Sequence, residues 1–353
     1  MLFVNFSAKA RREIFVTKLS SRGGACDIMP AMKIMALLMV AALGVSAAEK
    51  KAPPPDLAGC FPPEVKTIGV VMPASILNKA SFDRGVAALK SAGYAVKLAP
   101  RLDFKTVAPV ADRVADFEQM WMDPEVDLVL CARGGTGAQD VITKVNWEKL
   151  RARKQRVLGF SNITMILNAM LKEKAGIPFS GPTISQMNYA KPETFAWLGK
   201  SVARGTVPDV PLKPLRAGAC KGTACGGHIA LVLTGVKMGW AADPKGKIVF
   251  LERSIHDPAL IRRELDELVA TGYFRECAGV VFGDITPGGP KRERLTGDAL
   301  KAGRAAVKQI KKDFAGKVTC PVWDGYPYGH VSVSYAIDFL REKTITAEGV
   351  LKQ

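Results

Sequence analysis

The residues with the most chemical promise lie in the stretch VLGFSNITMI, Val157 to Ile166. A short apolar run ends at Gly159, and Ser161 stands between that run and a segment with helical period. Two readings share this position. A serine oxygen can cap a helix by accepting from its first free N–H groups. A serine can also sit on a tight strand-to-helix turn as a nucleophile, where the helix N-terminus stabilises negative charge. A second strand end marked by glycines, Arg133-Gly134-Gly135, follows the apolar run VDLVLCA.

Both segments belong to an alternating pattern. Val65–Ser75 reads as a buried strand, Ser81–Gly93 as a helix stopped by glycine, and Tyr94–Pro100 as a strand. Asp112–Asp123 has helical period, Val126–Gly135 is a strand, and a helix over Thr164–Lys174 follows the Val157 strand. Strands spaced by such helices predict right-handed βαβ units and a parallel sheet covered on both faces. Ligands of such sheets bind beyond the carboxyl ends of the strands, where both glycine-marked segments fall. PDVPLKP, Pro208–Pro214, reads as a linker. Beyond it come His228–Met238, Gly246–Ser254, a helix over Asp257–Gly272, a strand over Cys277–Thr286 and a helix near Thr296–Phe314. The Asp257 helix has its N-cap followed by Pro258 at the first helical position, and Gly272 ends it.

The first 48 residues read as a targeting region. MKIMALLMVAALGVSAA, Met32–Ala48, has one basic residue, an apolar core and small residues at its end, the anatomy of a secretory signal whose true start is Met32. It is too short for a membrane span, and no other segment is apolar enough to be one. The division expected is therefore signal region 1–48, linker 49–64, α/β domain 65–207, linker 208–225 and a smaller α/β domain 226–353.

The chain has 353 residues and a formal net charge of +17; loss of residues 1–48 leaves about +13. A basic exported protein invites anionic partners such as wall polymers or carboxylate-rich peptides. No dense Lys/Arg tract with interleaved aromatics points to nucleic acid. Of seven cysteines, Cys220 and Cys225 are close enough in sequence to bridge a small loop in an oxidising compartment. With no His at ligand spacing, no zinc site is expected. LAGC, Leu57–Cys60, has the form of a lipoprotein box, but EKKAPPPD separates it from the apolar run.

Six motifs occur in the order seen in the serine LD-carboxypeptidases, the family of murein tetrapeptide carboxypeptidases and microcin-C self-immunity peptidases. They are RGGTGAQDVI (Arg133–Ile142), GFSNIT (Gly159–Thr164), SGP (Ser180–Pro182), GGHIALVLTG (Gly226–Gly235), IVFLE (Ile248–Glu252) and YGH (Tyr328–His330). The chain resembles that family from about Val65 onward. The resemblance implies a flavodoxin- or glutamine-amidotransferase-like three-layer N-terminal domain. It places the catalytic set on Ser161, Glu252 and His330, and an oxyanion hole on the backbone N–H groups of Gly134, Gly135 and Asn162. Arg133, Thr136 and His228 are the candidate substrate contacts, and Arg133 suits a carboxylate because a guanidinium grips one with two hydrogen bonds. No cofactor or metal is implied, and a homodimer is.

Four residues depart from the family's pattern. Asn162 stands where Asp is usual, Thr136 for Tyr, His228 for Asn and Arg253 for Asp. The reading that results is an exported, periplasmic serine carboxypeptidase, expected to act on a muropeptide at the amide between an L-configured diamino-acid centre and terminal D-Ala. The alternatives are an immunity-type acyl-amide hydrolase and a non-catalytic periplasmic peptide-binding protein. A separation of more than about 6 Å between His330 and Ser161 would favour the last.

Overall fold

The computed structural model describes residues 55–204 and 208–352. The signal region, Met32 and residues 49–54 of the expected first linker lie outside these residues. Nine helices of α type and fifteen strands are formed among the described residues.

The first sheet contains β1 (Thr67–Val71), β2 (Ala95–Leu98), β3 (Leu128–Cys131), β4 (Arg156–Gly159) and β5 (Ile177–Ser180), all parallel, in the order 2-1-3-4-5. Its interior strands are buried on both faces, so they read as continuous apolar runs. On β3, Leu128 and Leu130 face helix α1 (Lys79–Ser91) through Phe82 and Leu89. Val129 and Cys131 point the other way, into a core with Phe117 and Trp121 of helix α2 (Val110–Met122). Each such fully buried large side chain contributes roughly 1.5–3 kcal/mol. Two short helices, α3 (Ala138–Ile142) and α4 (Trp147–Leu150), follow β3. Helix α5 (Thr164–Lys172) follows β4, and α6 (Pro192–Leu198) follows β5.

The expected linker 208–225 is not a linker. It supplies β6 (Val210–Pro211), β7 (Lys213–Arg216), β8 (Cys220–Gly222) and the start of β9 (Ala224–His228). Helix α7 (Ile229–Met238) leads to β10 (Ile248–His256), helix α8 (Pro258–Ala270), β11 (Gly279–Pro287), helix α9 (Gly297–Lys317) and β12 (Val322–Asp324). These build a second sheet, β7-β12-β11-β10-β9, parallel except for its β7 edge. Asp257 caps α8, its Oδ1 accepting from Ala259 N–H at 2.8 Å. Nor do chain segments map simply onto sheets. β13 (Ile337–Asp338), far into the C-terminal part, returns antiparallel to β5 on the edge of the first sheet. β14 (Lys343–Ile345) and β15 (Val350–Lys352) join β6 and β8 in a third, antiparallel sheet.

The described part of the expected first linker is also packed. Leu57, Cys60 and Phe61 are buried. The Cys60 thiol lies 3.3 Å from the Phe195 carbonyl, and burial pushes it up to about 12. A lipid-bearing Cys60 would have to leave this contact.

Cys220 and Cys225 are both free and buried. They lie on consecutive strands that enter different sheets, and Cys225 Sγ sits 3.8 Å from the Tyr273 hydroxyl. The sulfurs that meet are Cys277 and Cys320, 3.3 Å apart, each just ahead of one of the neighbouring strands β11 and β12. Thiol–disulfide exchange with oxidised glutathione should therefore link Cys277 to Cys320, and peptide mapping of the oxidised protein checks it; a Cys220–Cys225 peptide would be the contrary result.

Candidate active site

β4 ends at Gly159, and Ser161 opens a single 3₁₀ turn, Ser161–Ile163, that runs directly into α5. Ser161 has φ +62°, a left-handed conformation that costs a non-glycine residue of order 1–3 kcal/mol. No side chain caps the turn or the helix after it. The Ser161 hydroxyl instead lies 3.0 Å from His330 Nε2. Nδ1 of the same ring is 2.8 Å from Glu252 Oε2. The structure thus brings Ser161, His330 and Glu252 into one hydrogen-bonded chain from segments 91 and 78 residues apart in sequence.

The backbone explains how each side chain arrives. The register of β10 on β11 slips between Leu251 and Arg253, a bulge that falls at Glu252. Bulges re-aim side chains in this way beside functional sites. The strand runs on past the glutamate to His256, two residues beyond the expected segment. His330 lies in the loop after β12, preceded by Gly329 at φ +140°, where a Cβ would press on Asp284 and Glu252. Its ring rests against Phe160, centroids 4.8 Å apart, and Phe160 packs edge-on against Tyr328. The Tyr328 hydroxyl bonds Ser180 Oγ at 2.8 Å, so the SGP and YGH motifs meet behind the site. Helix α5 docks on β9 through Asn168, whose Nδ2 donates to the Gly226 carbonyl at 2.8 Å, and through Thr164 Oγ1, which accepts from His228 N–H at 3.3 Å.

The expected anion-stabilising groups lie alongside. A Cβ on Gly134 would sit 2.7 Å from Ser161 Cβ, so the Gly134 turn is pressed directly on the serine. The Gly134 carbonyl accepts from Ser75 N–H, and among the described residues the N–H groups of Gly134 and Gly135 have no protein acceptor. Asn162 N–H stands in the first turn of a helix, where N–H groups lack intrahelical partners. The Asn162 side chain is buried, and its Oδ1 accepts from Ala138 N–H at 2.9 Å. That task needs only an accepting oxygen, which the Asn162 amide supplies without a charge.

The candidate substrate contacts divide. Arg133 is exposed beside the serine turn, with Nη1 donating to the Ile76 carbonyl at 2.7 Å. Thr136 is exposed, and its N–H donates to Ser75 Oγ at 3.0 Å. His228 is buried, with its ring 5.8 Å from that of His330. Sequence reasoning missed Ser75, Phe160 and the partner of Arg253. Arg253 is buried and forms a two-pronged pair with Glu264, both contacts 2.8 Å. Its spacing of eleven from Glu264 gave no local signal.

Burial pulls the His330 pKa down, but the Glu252 charge and hydrogen bond outweigh it, and the net shift is upward. Burial, then Arg253 and His330, hold His228 well below the ordinary imidazole value. Burial also lowers His256, which lies apart from the chain of three and accepts from Asp257 N–H. Among the described residues no cluster of three His, Cys, Asp or Glu side chains is placed to hold a metal, and no helix is long and apolar enough to cross a membrane.

Two family profiles match the chain: the LD-carboxypeptidase N-terminal domain over residues 68–181 and the LD-carboxypeptidase C-terminal domain over residues 221–342. The chain belongs to the LD-carboxypeptidase family. Among its relatives, a probable murein peptide carboxypeptidase of Bacillus subtilis is 27% identical over 282 residues, covering 77% of this chain and 86% of its own. The murein tetrapeptide carboxypeptidase of Pseudomonas aeruginosa is 25% identical over 255 residues, covering 68% and 78%. The crystal structure of muramoyltetrapeptide carboxypeptidase from Oxalobacter formigenes superposes with TM-score 0.69 at 21% identity, over 81% of this chain and 97% of that one. The fold of this LD-carboxypeptidase family member is therefore that of its solved relatives.

The Asn162 cap gives a direct check. Asn162→Ala orphans a buried N–H and should cost about 1–3 kcal/mol. That lowers Tm by roughly 2–4 °C for each kcal/mol in a chain of this size. Asn162→Asp keeps the accepting oxygen and should melt near wild type; thermal denaturation of the two variants decides.

Proposed function

We propose that the chain is an exported serine carboxypeptidase that removes terminal D-Ala from muropeptide tetrapeptides, with Ser161 as nucleophile, His330 as general base and acid, and Glu252 as the group that orients the imidazole. The observation that carries the reading is the 3.0 Å contact from Ser161 Oγ to His330 Nε2, with Glu252 2.8 Å behind the ring. A peptide receptor has no reason to assemble that chain.

The chemistry follows from it. A serine hydroxyl is a weak nucleophile at neutral pH, so His330 Nε2 takes its proton as Oγ attacks the scissile carbonyl. Glu252 keeps the proton on Nδ1 and stabilises the imidazolium that forms. The oxyanion faces the N–H groups of Gly134, Gly135 and Asn162, where each preorganised donor contributes about 3–4 kcal/mol. His330 then gives its proton to the leaving D-Ala amine, and water, deprotonated by the same ring, releases the acyl group. Arg133 stands exposed beside the turn for a substrate carboxylate. The positive balance of the chain suits a peptide with several carboxylates.

A second reading, an acyl-amide hydrolase of the self-immunity type, has one observation in its favour. Thr136 is tied to Ser75 and offers no aromatic wall where the family has Tyr.

Mass spectrometry of residues 49–353 incubated with disaccharide tetrapeptide tests the proposal. Wild type should release one D-Ala, and Ser161→Ala should lose the activity by a factor on the order of 10⁶. Tight binding of an uncut peptide by the wild type would overturn it.

A further inference from the structure

Two buried atoms beside His330 lack partners. Glu252 is fully buried and gives only Oε2 to His330; its Oε1 has no hydrogen bond. His228 Nδ1 is likewise buried and unpaired. The two residues are register partners on the adjacent parallel strands β9 and β10. Such strands lie about 4.8 Å apart.

Arg253 determines which of these atoms donates. Its Nη1 lies 3.1 Å from His228 Nε2. A guanidinium has donors only, so Nε2 must accept and the imidazole proton must sit on Nδ1. Ser254 Oγ, 3.2 Å from the same Nε2, is compatible as a second donor. Arg253 itself is fixed by its two 2.8 Å contacts with Glu264. A buried ion pair is weak support for stability, because desolvation offsets most of its attraction, so its value here lies in fixing one arrangement.

We infer that Arg253, held by Glu264, locks His228 as the Nδ1–H tautomer, and that His228 is a positioning residue whose Nδ1–H is linked to Glu252 Oε1 across one water. The unpaired Nδ1–H and the unpaired Oε1 are then complementary, a donor and an acceptor that one water can join. The groups facing His228 agree. Arg253 and His256 from β10, His330 from the loop after β12 and Arg292 from the loop after β11 all oppose a second proton on it. Glu264, on helix α8, is engaged by Arg253. The consequence for catalysis rests on the proposed triad; the tautomer does not.

The chain has only three histidines, so the tautomer can be read directly. Protein labelled with ¹⁵N-histidine would be followed by long-range ¹H–¹⁵N correlation from pH 5.5 to 8.5, with His256→Asn and His228→Asn for assignment. His228 is expected to stay neutral with its proton on Nδ1 throughout, while His330 titrates. Replacing the pair together, Arg253→Met with Glu264→Met, should release Nε2, so that His228 populates the other tautomer. An unchanged His330 titration in His228→Asn would overturn the link to Glu252. A wild-type His228 that carries its proton on Nε2, or gains a second proton within this range, would overturn the inference even if the double variant failed to fold. An unchanged tautomer in a folded double variant would also overturn it. Absence of D-Ala release alongside the expected spectra would count against the proposed reaction alone.

Discussion

The His330 imidazole is the one link on which the rest of the site depends, because it joins two sheets that approach each other there. On one side Ser161 stands at the carboxyl end of β4 in the first sheet; on the other Glu252 rises from β10 in the second. An imidazole is only a few ångströms wide, so both sheets must be held in register to within hydrogen-bond tolerance. Asn168 and Thr164 of α5, bonded to β9, supply that restraint. The face of the second sheet carrying Phe250, Val281 and Trp323 joins the same apolar core as Val129 and Val157 of the first. One continuous core therefore sets the separation.

Several locally unfavourable features gather at this junction. Ser161 holds a left-handed backbone, Glu252 is fully buried at a bulge, and Arg253 is a buried guanidinium. Each is destabilising alone, and they persist only because the surrounding packing over-determines them. The strands beneath them are continuously apolar and buried. Strain at the carboxyl ends above a well-packed sheet is what a site of preorganised groups requires.

Much of this was legible in the sequence, for physical reasons that differ by element. Apolar runs and 3.6-residue stripes located the interior strands and the long helices, because burial alone specifies them. Asp257 and Pro258 marked the start of α8 to the residue. Ser161 was ambiguous, since the same residue type serves a cap and a nucleophile; in the structure no side chain caps that turn, and the Ser161 hydroxyl meets His330. The segment 208–225 was misread because its strands are short and carry Pro211 and Pro214, which suit edges and resemble a linker. The return of β13 to the first sheet, the contact of Cys277 with Cys320 and the Arg253–Glu264 pair depend on distant segments. No local period encodes such meetings.

The claim that Glu252 governs the imidazole is tested most directly by the pH dependence of tetrapeptide hydrolysis in wild type and Glu252→Gln. A raised His330 pKa means that the active neutral ring is lost as pH falls through a value above 6.5, the ordinary imidazole value. Wild type should therefore show its acid limb there. Glu252→Gln should lower kcat by about 10⁴-fold and move the limb to lower pH. A variant within tenfold of wild type, with its acid limb unmoved, would contradict the account.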